Sequence, residues 1–381
     1  MSDHFDWNSE QDDRIGGSTT VELEDVVGID SISDPFDPTL IRVENRPLTI
    51  DLLLSRMREE EIDLAPDFQR KAGIWSNDAQ SRLIESMLIK IPLPAFYLDA
   101  TDEDHWIVVD GLQRLTALRR FAITQELKLS GLEFLIQFEG KTFEELPRGF
   151  QRRILETQVT GYLIARGTPD EVKFTIFRRI NTGGKPLSPQ EIRHALNQGP
   201  ITRLLAELST SVEFQTAIDR GVSDERMDDR ELVLRFLTFA RTSYTEYTRQ
   251  DFDGFLNRAM REMNKLPLES LSALAQSFKT TMWWASEIFG KDAFRKRFSQ
   301  SAKRQPINKP LFETWSVNLY RLNEHQLRQL RDRREYLQSA FITLMNKDSE
   351  FTNAISQGTG DVSKVRLRFS RIEQLIAEVL A

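Results

Sequence analysis

The sequence predicts an α+β protein, with a small mixed α/β domain over residues 41–200 followed by an all-α domain over residues 201–381. Three observations predict it. Short apolar runs of strand length fall in the first half, at Ala95–Leu98, Trp106–Val109, Phe134–Phe138 and Val159–Ile164. From about residue 200 onward, apolar residues recur at helical spacing with little interruption. Residues 1–40 show no sustained period and read as an acidic, disordered tail.

At 381 residues the chain is long enough to bury a sizeable core. No apolar run approaches 18 residues, so no transmembrane helix is expected. The first residues, MSDHFDWNSEQDD, are too acidic for a signal peptide. The absence of cysteine excludes disulfides, thiolate zinc sites and cysteine nucleophiles. A cytoplasmic protein fits these facts. The four histidines, His4, His105, His194 and His325, include no pair at a metal-ligand spacing.

Charge is unevenly spread. Residues 1–37 hold eleven acids and one base, a net −10, which leaves the remainder at +3 out of a total of −7. The bland reading of this tail is a solvated segment; the sharper one is an acidic strip that covers a basic groove on the body.

Taken in order, Leu48–Arg58 reads as a helix capped at Thr49, and Ile62–Leu64 as a short strand. Ser76–Asp78 caps a helix with Leu83, Ile84, Met87 and Leu88 on one face, which Pro92 and Pro94 end. Three strands are then expected, at 95–98, 106–109 and 134–138. Short helices follow at Phe143–Pro147 and Phe150–Leu155, then a strand at Val159–Ile164 and a helix at Pro169–Arg179. Ser188, Pro189 and Glu191 form a capping box for a further helix. Helical segments are expected at Ile201–Leu208, Asp229–Ala240, Phe252–Met263, Leu271–Ile288, Lys309–Leu322 and Glu324–Leu344, and a last helical or mixed segment at Ser363–Leu380. Trp283, Trp284 and Trp315 read as core aromatics. The basic run from Arg295 to Lys309 reads as a solvated loop or, alternatively, as a contact to a phosphate backbone.

The candidate site is His105–Arg120, HWIVVDGLQRLTALRR. A buried strand, Trp106–Val109, meets Asp110-Gly111, and a helix follows. Such a corner exposes backbone N–H groups that favour an anion, and Gly111 lets the chain turn sharply. Gln113 and Arg114 lie in the first helical turn. Arg70, in a loop beside Trp75, is a second candidate for a phosphate. Ile180–Pro189 is glycine-rich, but Pro186 after Lys185 breaks the Walker pattern. No G-x-S-x-G, H-E-x-x-H, G-x-G-x-x-G or HNH-type nuclease cluster is present.

Phe68-Gln69-Arg70 with Trp75, Val109–Thr116, and Phe177–Gly184 with Leu187-Ser188 resemble the ParB/sulfiredoxin-like domain of GmrSD-type and Ssp-type bacterial restriction and anti-phage proteins. The likeness covers roughly residues 45–200. The resemblance implies nucleoside triphosphate hydrolysis tied to the Asp-Gly-Gln-Gln-Arg motif, which falls here on Asp110, Gly111, Gln113 and Arg114. Leu112 stands where the motif has its first glutamine. By the same likeness Asp110, Gln113 and Arg114 would be catalytic. Arg70, Gly111, Thr116, Asn181 and Gly183 would bind nucleotide or phosphate, and Asp110 would reach a Mg²⁺ ion. Restriction in that family is executed by a separate HNH-type nuclease domain, and this sequence carries none. The expected function is therefore a sensor or regulatory subunit of a defence system that binds or hydrolyses a nucleoside triphosphate. It would associate with DNA, with or without modified bases, with a separately encoded nuclease and with further copies of itself. The alternative is a non-catalytic DNA-binding or assembly module, in which an Asp110–Arg114 pair one helical turn apart braces the fold.

Overall fold

The computed structural model describes residues 21–22, 24, 41–64, 75–180, 187–224, 226–301 and 303–381. The first half builds β1 (Val43–Thr49), α1 (Ile50–Arg58), β2 (Ile62–Asp63), α2 (Asn77–Leu88), β3 (Phe96–Asp99), β4 (Trp106–Asp110), α3 (Leu112–Ala122), α4 (Arg148–Leu155), β5 (Gln158–Ile164), α5 (Asp170–Ile180) and α6 (Pro189–Leu196). Among the described residues these strands form one mixed sheet in the order β1-β5-β3-β4-β2. β5 and β3 run parallel, as do β4 and β2, while β1–β5 and β3–β4 are antiparallel.

Alternation of side chains across the pleat sorts the core into two faces. Leu98, Trp106 and Val108 join Ile50, Leu53, Ile84, Leu115, Leu118 and Phe121 in one apolar cluster. Val109 and Ile164 point the other way and pack with Phe174, Phe177 and Ile192 of α5 and α6. The sheet is thus covered on both sides.

Several elements differ from the sequence expectation. Leu48 and Thr49 belong to β1, paired with Val159 and Gln158. The helix begins after Thr49, whose hydroxyl accepts from Leu52 N–H at 3.2 Å. The apolar run Phe134–Phe138 is not a strand. Ile136–Phe138 is a single 3₁₀ turn, and Phe134 and Ile136 are 67% and 68% exposed. The cause is Glu85 on α2, whose carboxylate accepts from the backbone N–H groups of Glu133 (3.0 Å), Phe134 (2.8 Å) and Leu135 (2.8 Å). These bonds take the donors that a strand ladder would use. Burial pushes the Glu85 carboxyl up, but the three backbone donors outweigh it and hold the group below its usual range. Glu85→Ala should therefore cost about 3 kcal/mol, read as a lower midpoint in thermal denaturation.

The second half is helical: α7 (Pro200–Ser209), α8 (Val212–Ala217), α9 (Asp228–Arg241), α10 (Phe252–Asn264), α11 (Leu268–Phe289), α12 (Lys309–Tyr320), α13 (Glu324–Asp332), α14 (Arg334–Lys347), α15 (Ser349–Ala354) and α16 (Val362–Leu380). The segment expected as one helix, Glu324–Leu344, is two, because Arg333 leaves helical geometry at φ −99°, ψ 19°. Trp284 and Trp315 are buried in a large cluster with Phe214, Phe278 and Phe312, whereas Trp283 is exposed. At the centre of this core lies a chain of buried ions. Arg368 meets Glu313, Glu313 meets Arg235 (3.3 Å), Arg235 meets Glu231 (2.6 Å), and Glu231 meets Lys309 (3.1 Å) and Arg193 of α6 (3.5 Å). No helix of the described residues is long and apolar enough to cross a membrane.

Candidate functional site

β4 delivers Asp110 to the corner by pairing with β3, where Tyr97 stands opposite Asp110 beside an irregularity in the ladder. Gly111 then turns the chain with φ +104°. A Cβ at this position would run into the Phe96 ring and the Arg114 guanidinium, so glycine is needed both for the turn and for the approach. α3 starts at Leu112 without a side-chain cap. Among the described residues the N–H groups of Leu112, Gln113 and Arg114 meet no acceptor. Among the described residues nothing therefore closes the positive end of α3, where an anion is favoured.

The Arg114 side chain does not serve that end. It turns inward and is 7% exposed. It donates to Pro94 O, to Ala95 O at 3.1 Å and to Asp110 Oδ2 at 2.8 Å. The guanidinium also lies 4.5 Å from the Phe96 ring centroid. Burial lowers its pKa from the usual arginine range, and Asp110 opposes the shift. The expected phosphate clamp is thus committed to holding the β3 approach, the Asp110 carboxylate and the start of α3 together. Arg114 is a positioning residue in this geometry. Asp110 keeps Oδ1 without a donor among the described residues and remains half-buried.

Gln113 has a comparable duty. Its Oε1 accepts from Trp75 N–H at 3.3 Å. Gln80 Nε2 donates to Trp75 O at 2.7 Å, and Arg120 NH1 donates to Gln80 Oε1 at 2.9 Å and to Asn77 Oδ1 at 3.2 Å. α2 and α3 together therefore grip the backbone of Trp75. Gln80 and Arg120 are not among the site residues expected from sequence. The available signal for Arg120 is its spacing, since Gln113, Thr116 and Arg120 share one face of a helix. Gln80 offers only its capping-box position, and Ser76 caps that helix instead. Thr116 sits half-buried in the second turn of α3 and makes no hydrogen bond through its hydroxyl among the described residues.

Arg70, Asn181 and Gly183 lie outside the described residues. After each of these two segments the chain resumes at the same corner. Trp75 is bound to Gln113, and Leu187 packs in the cluster that contains Val109. The capping box is formed as expected: Ser188 Oγ accepts from Glu191 N–H at 3.1 Å, and Glu191 Oε2 accepts from Ser188 N–H at 2.5 Å.

The expected metal contact has one carboxylate of the corner to rest on among the described residues, that of Asp110. Among the described residues no three acidic or histidine side chains converge on a common point. Asp110 Oδ1 suits a hard cation that keeps its waters and takes its other ligands from phosphates, as Mg²⁺ does, but not an all-protein cage.

Residues 51–197 match the family model of the GmrSD restriction endonuclease, N-terminal domain. The matched stretch runs from α1 through the capping box to the residue that ends α6. It contains the whole Asp110–Arg120 corner and both segments around Arg70 and Asn181. The helical half lies beyond the GmrSD-type region. No curated protein matches the chain.

Most cations of the basic run from Arg295 to Lys309 have partners within the described residues. Arg295 donates to the carbonyls of Lys291, Gln305 and Ile218. Arg297 pairs with Asp292, Arg304 with Asp219 at 2.7 Å, and Lys309 with Asp228 at 2.7 Å. A phosphate backbone would have to displace these partners.

Proposed function

We propose that the chain is a component of a restriction-like bacterial defence system, and that its ParB/sulfiredoxin-like half binds a nucleoside triphosphate at the β4–α3 corner. The observation that carries the proposal is the conjunction at Asp110–Arg114. An uncapped helix start, a glycine turn and a carboxylate with one free oxygen meet in a stretch that matches the GmrSD N-terminal domain.

In this reading the amides of Leu112, Gln113 and Arg114 take phosphate oxygens. Arg114 holds Asp110 at a fixed place and orientation, which is the pre-organisation that phosphoryl transfer requires. Asp110 Oδ1 orients the attacking water or contacts a Mg²⁺ ion brought by the triphosphate, which would neutralise charge developing on the phosphates. The cation that Arg114 does not supply would fall to Arg70, the position that the resemblance assigns to phosphate binding. The helical half serves DNA contact or assembly, and cutting falls to a separate nuclease.

Asp110→Asn keeps an acceptor for Arg114 but removes the charge. It should lower phosphate release from Mg²⁺-NTP by about 10²–10³-fold, with the far-UV spectrum unchanged. A rate equal to that of the native chain would remove Asp110 from the chemistry. The inward lock of Arg114 favours a second reading, a non-catalytic module in which the corner only seats a phosphate of DNA. That reading predicts DNA binding without NTP binding in calorimetry.

A further inference from the structure

The described part of the acidic N-terminal segment is docked on the helical half. Val21 is buried and forms a parallel bridge with Ile307, which is itself paired antiparallel with Arg295. Glu22 N–H donates to Ile307 O at 2.8 Å. The Glu22 carboxylate meets Lys296 Nζ at 2.5 Å through one oxygen and Asn308 Nδ2 at 3.0 Å through the other. Two residues on, Glu24 takes both terminal nitrogens of Arg235, at 3.0 and 2.5 Å, and accepts from the Thr359 hydroxyl at 2.8 Å. Glu22 and Glu24 thus each meet a cation of the helical half.

These contacts are those of peptide recognition: a main-chain bond at an isolated β-bridge, an apolar anchor, and a bidentate guanidinium–carboxylate pair. The ions behind the groove are matched without its occupant, except that Lys296 keeps only the Ser356 hydroxyl among the described residues, at 2.8 Å, once Glu22 leaves. Among the described residues the buried bases around it, Arg193, Arg235, Lys309 and Arg368, are matched by Asp228, Glu231, Asp253 and Glu313. Departure of Glu24 therefore leaves none of these cations without an acid, whereas one Glu24 carboxylate gives up three donors to water. Burial pushes the Glu24 carboxyl up, but Arg235 and Lys309 outweigh it and hold the group below its usual range. The carboxylate is therefore the bound form at neutral pH.

We propose that the groove between the Arg295–Asn308 segment, α9 and the start of α16 is a binding site for an extended acidic peptide of the pattern Val-Glu-x-Glu. Its occupant is the chain's own Val21, Glu22 and Glu24, held in cis and released without unfolding the helical core. This site is independent of the nucleotide corner, and its test involves no nucleotide.

The test uses the full chain and a fluorescein-labelled synthetic peptide of residues 18–27, STTVELEDVV. In a Glu22→Lys/Glu24→Lys variant the cis segment is repelled by Lys296 and Arg235. The peptide should bind this variant at least about tenfold more tightly than the native chain, where the tethered segment competes at high effective concentration. A peptide with both glutamates replaced by glutamine should bind neither. Failure to bind the variant, or equal binding to variant and native chain, overturns the proposal. Concentration-dependent dimerisation of the native chain that is abolished by the free peptide would place the segment in trans and overturn the cis assignment. Should the variant fail to fold, hydrogen exchange of the native chain decides. The Glu22 amide should exchange at least about 100-fold faster than the buried amides of α12, since it opens locally. Equal protection would make the segment a permanent part of the core.

Discussion

Arg114→Ala will destabilise the α/β half by about 3–5 kcal/mol, the range for removing one partner of a buried pair. The guanidinium supplies donors to Pro94 O, Ala95 O and Asp110 at once and lies over Phe96. Its removal leaves two carbonyls and a half-buried carboxylate without donors and opens a void beside Gly111. Lysine will not rescue the fold, because a single ammonium cannot reproduce a planar fork that spans a carboxylate and two carbonyls. Chemical denaturation should show the loss. The main apolar clusters of the two halves are distinct, but Ala195 with Met227 and the Arg193–Glu231 pair join them, so the helical half should lose part of its stability too. A shift below about 1 kcal/mol, the scale of a surface ion pair, would show that Arg114 does not brace the corner.

Glu313→Ala will be comparably severe in the helical half. Glu313 and Arg368 are both fully buried. Glu313 accepts from Arg368 Nε at 2.9 Å and, through its second oxygen, from Arg235 NH1 at 3.3 Å. Arg368 in turn donates to Thr359 O at 2.7 Å. Truncating Glu313 leaves the buried Arg368 guanidinium without an acid among the described residues and takes one of three from Arg235, at an expected cost of about 3–5 kcal/mol. Arg368→Met alone should cost a similar amount. The double variant should lose less than the sum by about 1–3 kcal/mol, because each single change already breaks the shared pair. Additive losses in the double-mutant cycle would mean that the two side chains do not act together.

Much of this architecture is legible in the residues because local and tertiary signals agree. The Thr49 and Ser188 caps, the Trp106–Asp110 strand, the Gly111 turn and most of the helices beyond residue 200 follow from spacing and capping chemistry. Departures arise where a distant group overrides a local pattern. Phe134–Phe138 has strand composition, but a carboxylate some fifty residues earlier, Glu85, takes its backbone donors. Arg114 has the composition of a phosphate ligand, but the Pro94 and Ala95 carbonyls that claim it are visible only after the β3–β4 hairpin has formed. The grip on Trp75 through Gln80 and Arg120 joins two helices, and no single-helix periodicity encodes it. The ionic core of the helical half is likewise illegible in sequence. Its members sit at positions that read as exposed helix faces until α9, α12 and α16 pack together.

The decisive measurement is a crystal structure of the full chain with Mg²⁺ and a non-hydrolysable nucleoside triphosphate. Phosphate density on the Leu112–Arg114 amides, within reach of Asp110 Oδ1, is the predicted result. A fully ligand-free corner at saturating nucleotide, or nucleotide bound only elsewhere on the chain, would contradict it.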